Sequence, residues 1–87
     1  MTKRELIDII QSGEKTYLYF YSPFCGACER TEPLLENTNT PVKKIIGFED
    51  EDLLDAFDIE YYPTIVEING KKKKTHAGSK QVRQLLK

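Results

Sequence analysis

The run from Thr16 to Tyr21 constrains the fold of this chain more than any other segment. It is rich in aromatic side chains, carries no charge and is too short for a helix. A run of this kind is typical of a β-strand, and the absence of polar residues on alternate positions indicates burial on both faces. We therefore expect a central strand in a sheet that is covered on both sides.

The flanking segments predict an α/β fold around this strand. Thr2 and Glu5 form a capping box that should start a first helix, and Gly13 lies where that helix should end. The pair Asn69-Gly70 is a strong signal for a β-hairpin. The other expected elements are a helix running to about Asn37 and bent at Pro33, a strand Val42–Phe48, a helix that starts in the acidic stretch Glu49–Asp52 and runs through Phe57, strands Thr64–Ile68 and Lys71–His76, and a last helix capped by Ser79. The expected product is a mixed sheet of about four strands, parallel at its start and closed by an antiparallel hairpin, with helices on both faces.

Size and charge exclude several classes of protein. With 87 residues, the chain is expected to form one domain over residues 1–87. The longest apolar run, Tyr17 to Tyr21, is five residues long, whereas a membrane span needs about 20. The net charge of −1 argues against a general nucleic-acid binder. Because the N-terminus alternates charged and apolar residues, we expect no secretory signal and a cytoplasmic location.

Both cysteines of the chain lie close together at the predicted turn from the first strand to the second helix. They occur in Cys25-Gly26-Ala27-Cys28. The free N–H groups and the dipole at a helix N-terminus stabilise a thiolate, which marks Cys25 as a nucleophile. Cys28, one helical turn later, would resolve the mixed disulfide that Cys25 forms with a substrate. The spacing therefore predicts dithiol–disulfide chemistry.

Three other uses of the cysteines are weaker. A structural disulfide over so short a loop would remove little entropy from the unfolded chain, and a cytosolic thiol pool would reduce it. Zinc needs four ligands, whereas the chain offers two cysteines and the distant His76. An iron–sulfur site bridging two chains is the third alternative.

With these residues in place, the chain resembles the thioredoxin family along nearly its whole length. The strand is followed by Ser22-Pro23-Phe24-Cys25-Gly26-Ala27-Cys28, with Pro33 eight residues after Cys25. Tyr62-Pro63-Thr64 is similar to the family's cis-proline segment. The resemblance implies that Pro63 is cis and faces the cysteines, that the backbone of Tyr62 pairs with a substrate chain, and that Gly78 keeps the substrate groove open. It also implies the strand order Val42–Phe48, Thr16–Tyr21, Thr64–Ile68, Lys71–His76, without the first strand of full-length thioredoxins.

The departures from the family concern the surroundings of the motif. Tyr19 lies six residues before Cys25, where thioredoxins commonly carry a buried aspartate that takes a proton from the second cysteine. A tyrosine, with an ordinary pKa near about 10, cannot serve as that base. Its hydroxyl either bonds to Cys28 or water, or belongs to a core aromatic with some other partner. Tyr21 and Phe24 replace tryptophans and Ala27 replaces a proline, so the reduction potential is left open.

The resemblance further implies an activity and its partners. The expected protein is a monomeric thiol–disulfide oxidoreductase that reduces protein disulfides without a bound cofactor. Its electrons would come from NADPH through a flavin-containing thioredoxin reductase, and its substrates would include proteins such as ribonucleotide reductase. One alternative is a glutaredoxin-like enzyme that uses glutathione. Another is a binding module in which the cysteines are incidental.

Overall fold

The computed structural model describes residues 2–40 and 42–86. The helices are α1 (Lys3–Ser12), α2 (Gly26–Asn37), α3 (Glu51–Phe57) and α4 (Gly78–Leu86). The strands are β1 (Lys15–Tyr21), β2 (Val42–Ile46), β3 (Thr64–Asn69) and β4 (Lys72–Ala77). None of the helices in these two stretches is long and apolar enough to span a bilayer.

The four strands form one mixed sheet in the order β2-β1-β3-β4. Strand β1 runs parallel to β2 and antiparallel to β3, and β3 runs antiparallel to β4. The order and the class of fold are those predicted from the sequence, and β1 is an interior strand. Its residues Leu18, Tyr19 and Phe20 are completely buried, as the unbroken apolar run predicts.

The core has two parts because the sheet is covered on both faces. On one face, Leu18 and Phe20 pack with residues of α1 and α3. On the other face, Tyr19 and Ile65 pack with Val82 and other residues of α2 and α4. Successive side chains of a strand point to opposite faces, so the single strand β1 supplies both cores.

The predicted end of the second strand is wrong. The expected second strand reached Phe48, but β2 ends at Ile46, and Gly47 and Phe48 belong to a single turn of 3₁₀-helix, Gly47–Glu49. The parallel pairing stops at Tyr21 and Ile46, since β1 leaves the sheet there and later residues have no strand to pair with. The third helix follows this turn and runs from Glu51 to Phe57, so it starts within the acidic stretch Glu49–Asp52 and ends at Phe57, as predicted.

The start of the last helix also differs from the prediction. Ser79 was expected at its N-cap, but α4 begins at Gly78, directly after β4, so Ser79 lies in the first turn. Gly78 has a φ of +85°, a left-handed conformation that glycine adopts without strain. Its N–H donates to the carbonyl of Pro63 at 3.0 Å. This hydrogen bond satisfies one of the N–H groups that the start of α4 leaves without a partner in the helix.

The strand directions bring four segments to one edge of the sheet. Strands β1, β2 and β4 end at this edge and β3 begins there, because Tyr21 pairs with Ile46, Phe20 with Thr64 and Thr64 with Ala77. The segments that follow or precede these residues contain Cys25, Gly47, Pro63 and Gly78. The fold thus gathers residues that are up to 53 positions apart along the chain (78 − 25).

Candidate active site

Cys25 lies at the N-terminus of α2, where the chain turns from β1 into the helix. It is the N-cap residue, and its Sγ accepts a hydrogen bond from the backbone N–H of Cys28 at 3.2 Å. The turn before it is held by Ser22, whose hydroxyl oxygen accepts from the N–H of Phe24 and whose carbonyl accepts from the N–H of Cys25, both at 3.2 Å. Sequence reasoning assigned no role to Ser22, although serine is a common turn residue.

This position suits a sulfur that must carry negative charge. Cys25 is half-buried and has a free thiol. Its Sγ faces N–H groups of the first helical turn, which have no partner within the helix. Such groups, together with the helix dipole, favour an anion at this place. The geometry therefore agrees with the nucleophilic role that the motif predicts for Cys25.

Cys28 is in a different environment although it lies only one helical turn away. Its side chain is 2% exposed. Burial, and next to it the hydrogen-bonding interaction with Cys25, raises the pKa of the Cys28 thiol from 9.0 to about 11. Cys28 is therefore a protonated thiol near neutral pH, shielded from external reagents. These properties fit a cysteine that reacts only with a neighbouring sulfur.

The segment before β3 faces the cysteines. The Tyr62–Pro63 peptide bond is cis, and the Sγ of Cys25 lies 3.7 Å from the carbonyl oxygen of Tyr62, where the protonated thiol donates. The Thr64 hydroxyl donates to the carbonyl of Tyr61 at 2.6 Å. The N–H of Gly78 donates a hydrogen bond to the carbonyl of Pro63. The structure therefore brings together Cys25, Tyr62, Pro63 and Gly78. A side chain placed on Gly78 would meet no atom within 4 Å, so the surface beside Pro63 is open.

The remaining residues of the motif form its exposed rim. Pro23 and Phe24 are exposed, and Phe24 is exposed by 89%. Gly26 is the first residue of α2. The carbonyl of Ala27 accepts a hydrogen bond from the buried Thr31 hydroxyl at 2.9 Å. Two further large side chains are exposed at this edge of the sheet, Tyr61 by 62% and Phe48 by 53%.

Tyr19 lies beneath the motif with its ring parallel to that of Tyr21. The two ring centroids are 5.6 Å apart. The Tyr19 hydroxyl is buried and has no hydrogen-bond partner among the residues that the structure describes. Burial, and next to it the charge of Cys28, raises the pKa of this hydroxyl. Tyr19 therefore acts on Cys28 as a nearby dipole, without a hydrogen bond of ordinary geometry.

No metal cluster accompanies the cysteines within residues 2–40 and 42–86. Nowhere in these stretches do three or more histidine, cysteine or acidic side chains come together as a metal site would require. His76 lies 3.6 Å from a carboxylate oxygen of Glu67. Its place on β4 pairs it with Ile65.

The comparisons with known proteins agree with this geometry. The family model described as Thioredoxin matches residues 1–87. Protein disulfide isomerase-like 1-3 of Arabidopsis thaliana is 28% identical over 87 residues, covering 92% of this chain and 15% of its own length. Protein disulfide-isomerase A4 of Rattus norvegicus is 28% identical over 74 residues, covering 75% of this chain and 12% of its own. The chain thus spans a small part of these curated relatives.

The solved structures lead to the same fold. A crystal structure of thioredoxin from Trypanosoma brucei brucei matches with a TM-score of 0.81 and 17% sequence identity, covering 98% of this chain and 82% of the other. At that identity the likeness concerns the fold. The family model, in contrast, covers the chain from end to end, including Cys25 and Cys28. The chain therefore belongs to the thioredoxin family.

Proposed function

We propose that this protein is a thiol–disulfide oxidoreductase that reduces protein disulfides through a reversible Cys25–Cys28 dithiol/disulfide pair. One observation carries the proposal: two cysteines one helical turn apart have opposite environments. Cys25 Sγ accepts an N–H bond at the helix N-terminus, whereas Cys28 is buried and its pKa is raised to about 11. The first sulfur suits attack on a substrate, and the second suits release of the product.

The reaction proceeds by two exchanges. The Cys25 thiolate attacks one sulfur of the substrate disulfide, a new S–S bond forms, and the second substrate sulfur leaves as a thiolate that takes up a proton. Cys28 then loses its proton and attacks the Cys25 sulfur. The mixed disulfide breaks, and the first substrate sulfur leaves as a thiol. Two electrons have passed to the substrate, and Cys25 and Cys28 are joined.

The surface around Cys25 provides the binding site for the substrate chain. The backbone of Tyr62 lies next to the reactive sulfur and can pair with an extended peptide, while Pro63 and Gly78 leave the surface beside it open. Phe24 and Tyr61 add exposed aromatic area near the reacting sulfur. An exposed aromatic rim beside a backbone carbonyl suits disulfides in extended segments of other proteins.

The proposal extends to the electron source and the partners. The oxidised pair is reduced again by a flavin-containing thioredoxin reductase that uses NADPH, so the protein itself binds no cofactor. Ribonucleotide reductase is a representative substrate of such a system. We further propose a monomer in the cytoplasm. Glutathione is the alternative donor, as in a glutaredoxin-like enzyme.

The direct test is reduction of insulin disulfides with dithiothreitol as the electron source. Wild-type protein should accelerate the precipitation of insulin chains, and Cys25→Ser should abolish the acceleration. Cys28→Ser is the matched control: it should also lose turnover, yet, after reduction and incubation with insulin in the absence of dithiothreitol, it should accumulate a mixed disulfide with the substrate that mass spectrometry detects. If the wild-type protein gave no acceleration above dithiothreitol alone, the cysteines would be incidental and the binding module would be favoured.

A second assay separates the two electron donors. Oxidised protein is incubated with NADPH and a thioredoxin reductase, or with glutathione, glutathione reductase and NADPH. Oxidation of NADPH is followed by its absorbance. The proposal predicts rapid turnover in the first mixture. Rapid turnover only in the second would identify a glutaredoxin-like enzyme.

A further inference from the structure

We propose that Gly47 is a positioning residue for disulfide exchange, because the space left by its missing side chain holds the ring of Tyr62 and so keeps the Tyr62 carbonyl against Cys25. The inference rests on the proposed function. It concerns a residue outside the Cys-x-x-Cys motif that the sequence pattern placed in a strand. Three observations support it: the position of Gly47, its contact with the ring, and its ordinary backbone conformation.

Gly47 lies at the active edge of the sheet. It follows Ile46, which pairs with Tyr21, the last residue of β1 before the turn to Cys25. It is buried and begins the 3₁₀ turn, and its carbonyl accepts a hydrogen bond from the N–H of Asp50 at 3.1 Å. The backbone at this point is therefore held by β2 on one side and by a closed turn on the other.

The ring of Tyr62 lies directly against the Cα of Gly47. A Cβ added to Gly47 would overlap the Tyr62 hydroxyl and would lie 2.5 Å from Cζ and 2.6 Å from Cε1. Contacts this short do not occur between packed atoms, so a methyl group at position 47 must displace the far edge of the ring. The ring is half-buried and packs on the core face that contains Leu53 and Phe57, so it is held in place from the side of the sheet as well.

The glycine is not explained by backbone conformation. Gly13, Gly70 and Gly78 have positive φ values, which favour glycine, but Gly47 does not. An alanine at position 47 would adopt this backbone without strain, and only the contact with Tyr62 opposes it. The requirement for glycine is therefore a requirement for space.

The two ends of Tyr62 connect Gly47 to the reacting sulfur. At the backbone end, the carbonyl lies 3.7 Å from Cys25 Sγ. At the other end, the hydroxyl reaches the Gly47 backbone. Hydrogen bonds from Thr64 to the Tyr61 carbonyl and from Gly78 to the Pro63 carbonyl hold the neighbouring peptide groups. If the ring is displaced, the Tyr62 peptide itself shifts between them, and an extended substrate paired with it is no longer aligned with Cys25. Misalignment of this size lowers exchange with a protein substrate strongly.

The test compares two substrates in Gly47→Ala. Insulin requires alignment along the Tyr62 backbone, whereas the small aromatic disulfide dithiobis(nitrobenzoate) requires only an accessible Cys25. We expect kcat/KM for insulin to fall about tenfold, and the rate with the small disulfide to stay within about twofold of wild type. Gly13→Ala, strained at a φ of +73° in the turn before β1, is the matched control that is destabilised away from the site and should keep both rates.

Double variants isolate the contact itself. Tyr62→Ala removes the ring and should lower insulin reduction by a similar factor. Adding Gly47→Ala to Tyr62→Ala should cause no further loss, since no ring remains to be displaced. If Gly47→Ala alone does not fold, the double variant should still fold, with the activity of Tyr62→Ala. Three results would overturn the inference. The first is a loss of rate in Gly47→Ala that is equal for insulin and for the small disulfide, and the second is a loss of insulin reduction that is equal when Gly47→Ala is added to wild type and to Tyr62→Ala. The third is unchanged insulin reduction in Gly47→Ala.

One measurement separates this inference from the proposed function. The backbone amide resonances of Cys25 and Thr64 should shift in Gly47→Ala and should remain in place in Gly13→Ala, whatever the activity. Unmoved resonances would refute the coupling even in an active enzyme. If the resonances shift in Gly47→Ala but the wild-type protein does not reduce insulin, the proposed function is refuted, whereas the coupling of Gly47 to Cys25 stands.

Discussion

Selective alkylation of the two cysteines follows directly from their environments. The Cys28 thiol is 2% exposed, and burial raises its pKa from 9.0 to about 11. A pKa higher by this amount lowers the thiolate fraction near neutral pH about a hundredfold. Since the thiolate is the reactive form, iodoacetamide at pH 7.5 should modify Cys28 of the folded, reduced protein at least about 100 times more slowly than Cys28 of the urea-unfolded protein, and the half-buried Cys25 should be modified first. Quenched time points, digestion and mass spectrometry give both rates.

The pH dependence of Cys28 alkylation shows the direction of the shift in its pKa. Below its pKa, the thiolate fraction of Cys28 increases tenfold for each unit of pH. In Cys25→Ser the alkylation rate of Cys28 should therefore increase about a hundredfold from pH 7 to pH 9, without a plateau. Removing Cys25 takes away its hydrogen-bonding and charge contributions, both of which raise the pKa of Cys28, but burial, the largest contribution, is retained. The urea-unfolded variant is the control and should react far faster. A plateau below pH 9, or equal rates in folded and unfolded protein, would refute the reasoning.

Three further substitutions probe the packing around the site. Leu18→Ala, at a completely buried position, should lower the free energy of unfolding by about 3 kcal/mol in urea titrations; a loss under about 1 kcal/mol would contradict the packing described. Tyr19→Phe removes a buried hydroxyl without a hydrogen bond in the described residues, so the free energy of unfolding should be unchanged or higher by up to about 1 kcal/mol. Because Tyr19 lowers the pKa of Cys28, Cys28 of this variant should be alkylated more slowly. A clear loss of stability would reveal a hydrogen bond. Phe24→Ser, at an exposed position, should alter stability by less than about 0.5 kcal/mol but raise KM for insulin several-fold, and an unchanged KM would remove Phe24 from the binding surface.

The fold was largely predictable because its signals are local. The aromatic run of β1 indicates an interior strand, and Leu18, Tyr19 and Phe20 are indeed buried on both faces. The turn at Asn69-Gly70 connects β3 and β4 as predicted. In these cases the pattern that identifies the element is also the pattern that stabilises it, through burial or through turn conformation.

The errors arose where a distant contact determines the local structure. The apolar pattern extended the second strand to Phe48, but pairing ends at Ile46 because the partner strand turns away. The contact of Gly47 with Tyr62 joins residues 15 positions apart (62 − 47), and no property of the sequence between them indicates it. Ser79 was predicted as a cap on composition alone, whereas the left-handed Gly78 already reverses the chain.

The candidate site was predictable in part. Local spacing and the predicted position at a helix N-terminus were enough to single out Cys25 and Cys28 as the candidate pair, and the structure places Cys25 at the N-cap of α2. The placement of Pro63 beside them came from the resemblance to the thioredoxin family, since a proline before a strand is otherwise an ordinary strand-entry residue. The opposite environments of the two sulfurs, with Cys28 buried against Tyr19, depend on packing between the sheet and α2.

The reduction potential of the Cys25–Cys28 pair tests the central claim most directly. Purified protein is equilibrated in thiol–disulfide buffers of graded potential, and free thiols are trapped by alkylation and counted by mass. A protein that reduces disulfides should have a reduction potential of about −270 mV, that of thioredoxin itself. A value near about −120 mV, as for a strong disulfide donor, would reverse the proposed direction of electron flow, and failure to form an intramolecular disulfide at any potential would contradict the exchange mechanism.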